Sequence, residues 1–105
     1  MARFDVYANP GRHADSTPYL LDVQSDLLDG LDSCIVIPLR RRDRFPAVAL
    51  ADRLTPTLSI AGTEFILETP KMGAVPRRAL GAPLLSLAAE RARVTAAMDF
   101  VFRGF

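Results

Sequence analysis

Cys34-Ile35-Val36-Ile37-Pro38-Leu39 contains no charged side chain, and its apolar residues fall on both faces of an extended segment. It is too short for a helix and rich in β-branched residues, so it is predicted as a strand covered on both sides at the centre of a sheet. Pro38 lacks a ladder donor, and regular pairing is expected to fail near it. Upstream, Arg3 to Tyr7 alternates, with Phe4 and Val6 on one face and Arg3, Asp5 and Tyr7 on the other. Asn9-Pro10-Gly11 ends that strand, and the polar stretch to Thr17 reads as a loop. Tyr19 to Leu28 alternates again, placing Asp22, Gln24 and Asp26 on a polar outer face, and Asp29-Gly30 is a favoured turn pair.

Downstream, Arg40 to Pro46 reads as a basic loop, and Ala47 to Leu54 is undecided between a helical turn and an irregular segment. Thr57 to Ile60, Ala61-Gly62 and Thr63 to Thr69 read as strand, tight turn and strand; Ala74 to Pro76 reads as a short edge strand. The period then changes. Leu84, Leu87, Val94, Met98, Val101 and Phe105 recur at helical spacing, so a helix is expected over about residues 86–103, with Pro83 near its first turn and Ser86 as N-cap. The expected class is α+β, mainly β: one domain over residues 1–105, β-rich to residue 80, with an antiparallel sheet closed by a C-terminal helix.

The chain has 105 residues, half of them apolar, and a net charge of +1. That apolar share excludes general disorder and suggests surface reserved for a partner, for which a homodimer is the simplest arrangement. Near-neutral charge argues against a freestanding, sequence-specific nucleic-acid binder. The single cysteine, Cys34, forms no internal disulfide, and the sequence reaches Arg3 and Asp5 without an apolar leader. No apolar run has the roughly 18 residues of a membrane span. A soluble, cytoplasmic protein is the expectation.

Residues with catalytic chemistry are few. His13 is the only histidine, in a polar loop where a solvated role is the ordinary one. Cys34 lies in an apolar strand without a flanking cation, where a thiol is inert. One histidine and one cysteine make no zinc site, and no phosphate loop or nucleophile elbow is present, so neither a cofactor nor an enzymatic activity is expected. Arg40-Arg41-Arg42-Asp43-Arg44 is the densest charge run, able to meet an acidic partner or simply to face water; Arg77-Arg78 is a weaker one. Phe100, Val101, Phe102 and Phe105 crowd the chain end in more directions than one buried stripe accepts, which marks the end of the helix as a binding tip.

Asp22-Val23-Gln24-Ser25-Asp26-Leu27-Leu28-Asp29 and Ile35-Val36-Ile37-Pro38-Leu39 resemble the CcdB family of toxins. Phe4-Asp5-Val6-Tyr7, Met72-Gly73-Ala74-Val75-Pro76 and Phe102-Arg103-Gly104-Phe105 line up in the same order over essentially the whole chain. The resemblance implies an SH3-like antiparallel barrel or sheet with a C-terminal helix, a homodimer, and the toxin half of a type II toxin–antitoxin module used in plasmid maintenance. It implies poisoning of DNA gyrase through the A subunit and neutralisation by a CcdA-like antitoxin. Carried over by position, the gyrase contact comprises Leu27, Leu28, Asp99, Phe102, Arg103, Gly104 and Phe105; Arg40, Arg41 and Arg42 are candidates for the antitoxin. Arg103 departs from the family, which has tryptophan there. Losing such an aromatic anchor costs about 2–4 kcal/mol, or roughly 30- to 1,000-fold in affinity. Two alternatives follow: an antitoxin-binding protein whose gyrase target is lost or changed, and an mRNA-cleaving ribonuclease of the same fold that uses His13 and the arginines.

Overall fold

The computed structural model of the chain describes residues 2–45 and 52–104. Strands β1 (Asp5–Ala8), β2 (Tyr19–Asp22), β3 (Ser33–Arg41), β4 (Thr57–Ile60), β5 (Thr63–Leu67), β6 (Gly73–Pro76) and β7 (Leu85–Ser86) precede helix α1 (Arg91–Arg103). They form a curled antiparallel sheet, a half-barrel, in the order β4-β5-β3-β2-β1-β7, with β6 also on β3. The class is the expected α+β, mainly β.

The predicted central strand is the axis of this sheet. β3 pairs with β2 along one flank, and along the other with β6 over Ser33–Val36 and with β5 over Leu39–Arg41. Pro38 falls at the switch between those two partners. Its carbonyl accepts from Glu68 N–H at 2.9 Å on that flank, and its missing donor falls where neither ladder needs one. The expectation of failed pairing is met on that flank alone, because β3 continues to Arg41.

Both faces of β3 are covered, as expected, except at Ile35, which is 40% exposed. Ile37 and Leu39 join Val6, Leu21, Leu58, Phe65, Leu67, Val94 and others in the main core, while Cys34 and Val36 pack with Tyr7, Leu20 and Leu80 on the opposite face. Ala61 (φ 52°) and Gly62 (φ 83°) are both left-handed, as the tight turn between β4 and β5 requires.

Three expectations are corrected. The first strand starts at Asp5, not Arg3, because Phe4 is left-handed (φ 74°) and buried; its N–H donates to Asp22 C=O at 2.7 Å and its C=O accepts from Leu87 N–H at 2.8 Å. The second strand ends at Asp22, not Leu28, and is followed by a 3-10 turn over Asp26–Leu28. The helix starts at Arg91, not Ser86. Ser86 pairs with Asp5 in β7, and its Oγ accepts from Ala88 N–H at 3.1 Å ahead of a 3-10 turn over Ala88–Glu90 whose N-cap is Leu87. Of the undecided segment, residues 47–51 lie outside the described residues.

Candidate functional site

The connection between β2 and β3 carries Leu27 and Leu28, and polar side chains build it. Gln24 donates from Nε2 to Leu28 C=O (3.3 Å) and Ser33 C=O (3.1 Å), while its Oε1 accepts from Ile35 N–H (3.2 Å). Ser25 Oγ accepts from Leu27 N–H at 3.2 Å as the N-cap of the turn, and Asp26 Oδ1 accepts from Arg3 N–H at 2.6 Å. The backbone is thus fixed from both sides while the leucines point outward: Leu27 is 95% exposed and Leu28 47%.

Asp22 and Gln24, expected on a polar outer face, are buried. Asp22 Oδ1 accepts from Gln24 N–H at 2.9 Å, and burial raises its carboxyl above the usual range. Beside it, burial pushes the Cys34 thiol up to about 12, which makes it the inert thiol expected from its strand. Arg77, read as part of a surface charge run, is instead largely buried. Its Nε donates to Leu31 C=O at 2.9 Å and Nη1 lies 3.4 Å from Asp29.

The second apolar surface is the end of α1. Val94 and Ala97 face the core, Met98, Phe100 and Val101 are half-buried, and Asp99, Phe102, Arg103 and Gly104 are exposed. Phe100 lies under the Arg53 guanidinium, 4.9 Å from its ring centroid. Phe102, 69% exposed, points away from the core. Gly104 ends the helix in the left-handed region (φ 79°), its N–H donating to Phe100 C=O at 3.0 Å. Phe105, assigned to the tip from the sequence, lies outside the described residues. Leu27 and Leu28 come from a different connection, so the chain presents large apolar groups from two elements.

The basic run is not a loop throughout. Arg40 and Arg41 end β3, and Arg42–Arg44 is a 3-10 turn. Arg41 pairs with Asp43 at 2.7 Å, and Arg42 Nη1 donates to Thr57 Oγ1 at 3.2 Å. Arg40 turns instead into a cleft of about 380 Å³ between the Asn9–Pro18 loop, β3 and the 3-10 turn Thr69–Lys71. The loop is held in place by Asn9, whose Nδ2 donates to Thr17 C=O (2.8 Å) and whose Oδ1 accepts from Gly11 N–H (2.9 Å). His13, Glu68 and Lys71 also line the cleft. Sequence reasoning named His13 and Arg40 separately but gave no sign of Asn9, Glu68 or Lys71, which share no local period with them. Among the described residues no group of three or more His, Cys, Asp or Glu could hold a metal ion, and no helix is long and apolar enough to cross a membrane.

Comparison with known proteins places these features in context. A family model described as CcdB protein matches residues 3–104. A solved structure described as an endoribonuclease in complex with its cognate antitoxin, from Mycobacterial species, superposes with a TM-score of 0.73 at 12% identity. The match covers 97% of this chain and 94% of that one, so the two share a fold. No curated protein matches the sequence.

Proposed function

The chain belongs to the CcdB family, and on that premise we propose that it is the toxin of a type II toxin–antitoxin module, acting on the DNA gyrase A subunit through the tip of α1. The observation that carries this reading is the presentation of large apolar groups on ordered backbone: Phe102 on a helix ended by Gly104, and Leu27 and Leu28 on a stapled turn. Exposed aromatic anchors of this kind dominate protein interfaces. Asp99, Arg103 and Gly104 line the same helix end, and Phe105 continues it in sequence. The toxin acts as a homodimer, which doubles the tip; sedimentation at micromolar concentration tests this.

Arg103 sets the strength of the gyrase contact. A guanidinium in place of a tryptophan removes about 200 Å² of rigid aromatic surface. A gyrase cleavage-complex assay on the wild type and on Arg103→Trp is the test, with weak trapping expected from the wild type and stronger trapping from the variant. Trapping only by Arg103→Trp would identify a protein that retains its antitoxin and has lost its gyrase target. Trapping by neither contradicts the gyrase reading.

The antitoxin is expected to bring an acidic, amphipathic segment to the basic surface of Arg40, Arg41 and Arg42. Its affinity should fall as salt rises, and a salt-independent titration would remove this electrostatic contribution. A second reading, an RNA-cleaving toxin, is favoured by one observation: the cleft brings His13 together with Arg40 and Lys71. Such cleavage needs a proton-transfer group and a cationic stabiliser in one place. Full toxicity of His13→Ala would eliminate it.

A further inference from the structure

We propose that the cleft between the Asn9–Pro18 loop, β3 and the Thr69–Lys71 turn binds one nucleotide, either free or as a unit of single-stranded RNA. Its phosphate sits at Arg40 and Lys71 and its base lies on Leu20 and Pro38. This site is separate from the helix tip and stands whether or not RNA is cleaved there.

Arg40 is the first ground. Its two neighbours in the run have partners in Asp43 and Thr57, whereas Arg40 has no carboxylate partner among the described residues. Its guanidinium lies over the Phe45 ring at 5.5 Å, and its Nε, like that of Arg41, is buried without an acceptor among the described residues. A guanidinium in this condition offers a fork of donors shaped for a phosphate.

The charge balance of the cleft is the second ground. Glu68 is buried, and Lys71 lies 3.5 Å from its carboxylate. That pair offsets itself, so among the described residues Arg40 remains as an uncompensated cation lining the cleft, together with His13. Lys71 is 65% exposed and can turn its ammonium to an arriving anion while staying near Glu68.

Size and floor extend the ligand beyond a bare anion. The volume of about 380 Å³ lies in the small-ligand range of roughly 300–1,000 Å³, more than an isolated phosphate fills. Leu20 and Pro38 are register partners across β2 and β3 and both line the cleft, giving an apolar floor for the face of a base. The remaining Glu68 oxygen is an acceptor for an exocyclic amino group, which favours adenine or cytosine over uracil.

The test is a titration of the full chain followed by amide NMR at low salt. The probes are AMP, a single-stranded adenosine hexaribonucleotide, inorganic phosphate and hexaglutamate. AMP and the oligonucleotide should shift His13, Ser16, Arg40 and Lys71, with affinity about tenfold lower in both Arg40→Gln and Lys71→Gln. Lys71→Gln alters an exposed side chain, so its effect reads binding even if Arg40→Gln fails to fold. Tighter binding of the oligonucleotide than of AMP assigns the site to RNA, and equal affinity assigns it to a free nucleotide. The proposal is overturned if no probe shifts these residues, if inorganic phosphate binds as tightly as AMP, or if only hexaglutamate binds. It is also overturned if Lys71→Gln binds like the wild type.

Discussion

The β2–β3 connection and the end of α1 both expose large apolar side chains, yet they are held by different means. In the connection, Gln24, Ser25 and Asp26 tie the backbone by side-chain hydrogen bonds to β3, to the turn itself and to Arg3. At the helix end the backbone is fixed by the helix itself, by the Gly104 cap and by the packing of Val94 and Ala97 two turns earlier. A side chain at the tip can therefore change with little effect on the fold, whereas the leucines depend on a buried polar residue several positions away. The two surfaces separate a binding role from a folding role in opposite ways.

Breaking the connection should have the largest effect. Gln24→Ala removes three hydrogen bonds and leaves Ser33 C=O and Ile35 N–H without the Gln24 partner, while Leu28 C=O still accepts from Leu31 N–H. The expected loss is about 2–4 kcal/mol in urea unfolding. A loss below about 0.5 kcal/mol, within the range of an ordinary surface change, would show that the staple contributes little. At the helix end, Gly104→Ala meets no atom of the described residues within 4 Å but must hold φ near 79°. A cost of about 1 kcal/mol is expected, read as a lower urea midpoint, and an unchanged midpoint would mean that the cap is dispensable.

Asp22 sharpens the comparison through pH. Burial raises its carboxyl in the folded protein, so the folded state favours the protonated form. Its contribution is fully present below the unfolded carboxylate range and is lost as pH rises through the folded value. Stability should therefore increase from neutral toward mildly acidic pH, and Asp22→Asn, which retains an acceptor for Gln24 N–H, should reduce that slope. Equal slopes in urea unfolding of the two proteins would remove Asp22 as the cause. The smallest effect on stability is expected from Phe102→Ala: under about 0.5 kcal/mol, because the ring is mostly exposed.

Much of this organisation was legible in the sequence where local period and burial agree. Cys34 to Leu39 is apolar on both faces and does lie centrally. The crowding of Phe100, Val101 and Phe102 gave the exposed tip because a helix cannot bury every direction. Legibility failed where side chains replaced backbone pairing. Asp22, Gln24 and Asp26 alternate like strand residues, but the chain turns after Asp22 and Gln24 supplies the hydrogen bonds that a ladder would have made. Leu87 has helical spacing to Val94, yet its N–H bonds to Phe4 C=O, and the helix begins only after it. The cleft was illegible because loop, strand and turn contribute single residues from distant positions.

The central claim is that the α1 tip binds gyrase without holding the fold together. The most direct measurement is the affinity of the gyrase A subunit for the wild type and for Phe102→Ala, with the melting temperature of each recorded alongside. The account expects the wild type to bind and Phe102→Ala to lose about tenfold or more in affinity at an unchanged melting temperature. Equal affinity of the two proteins, or binding by neither, would contradict it.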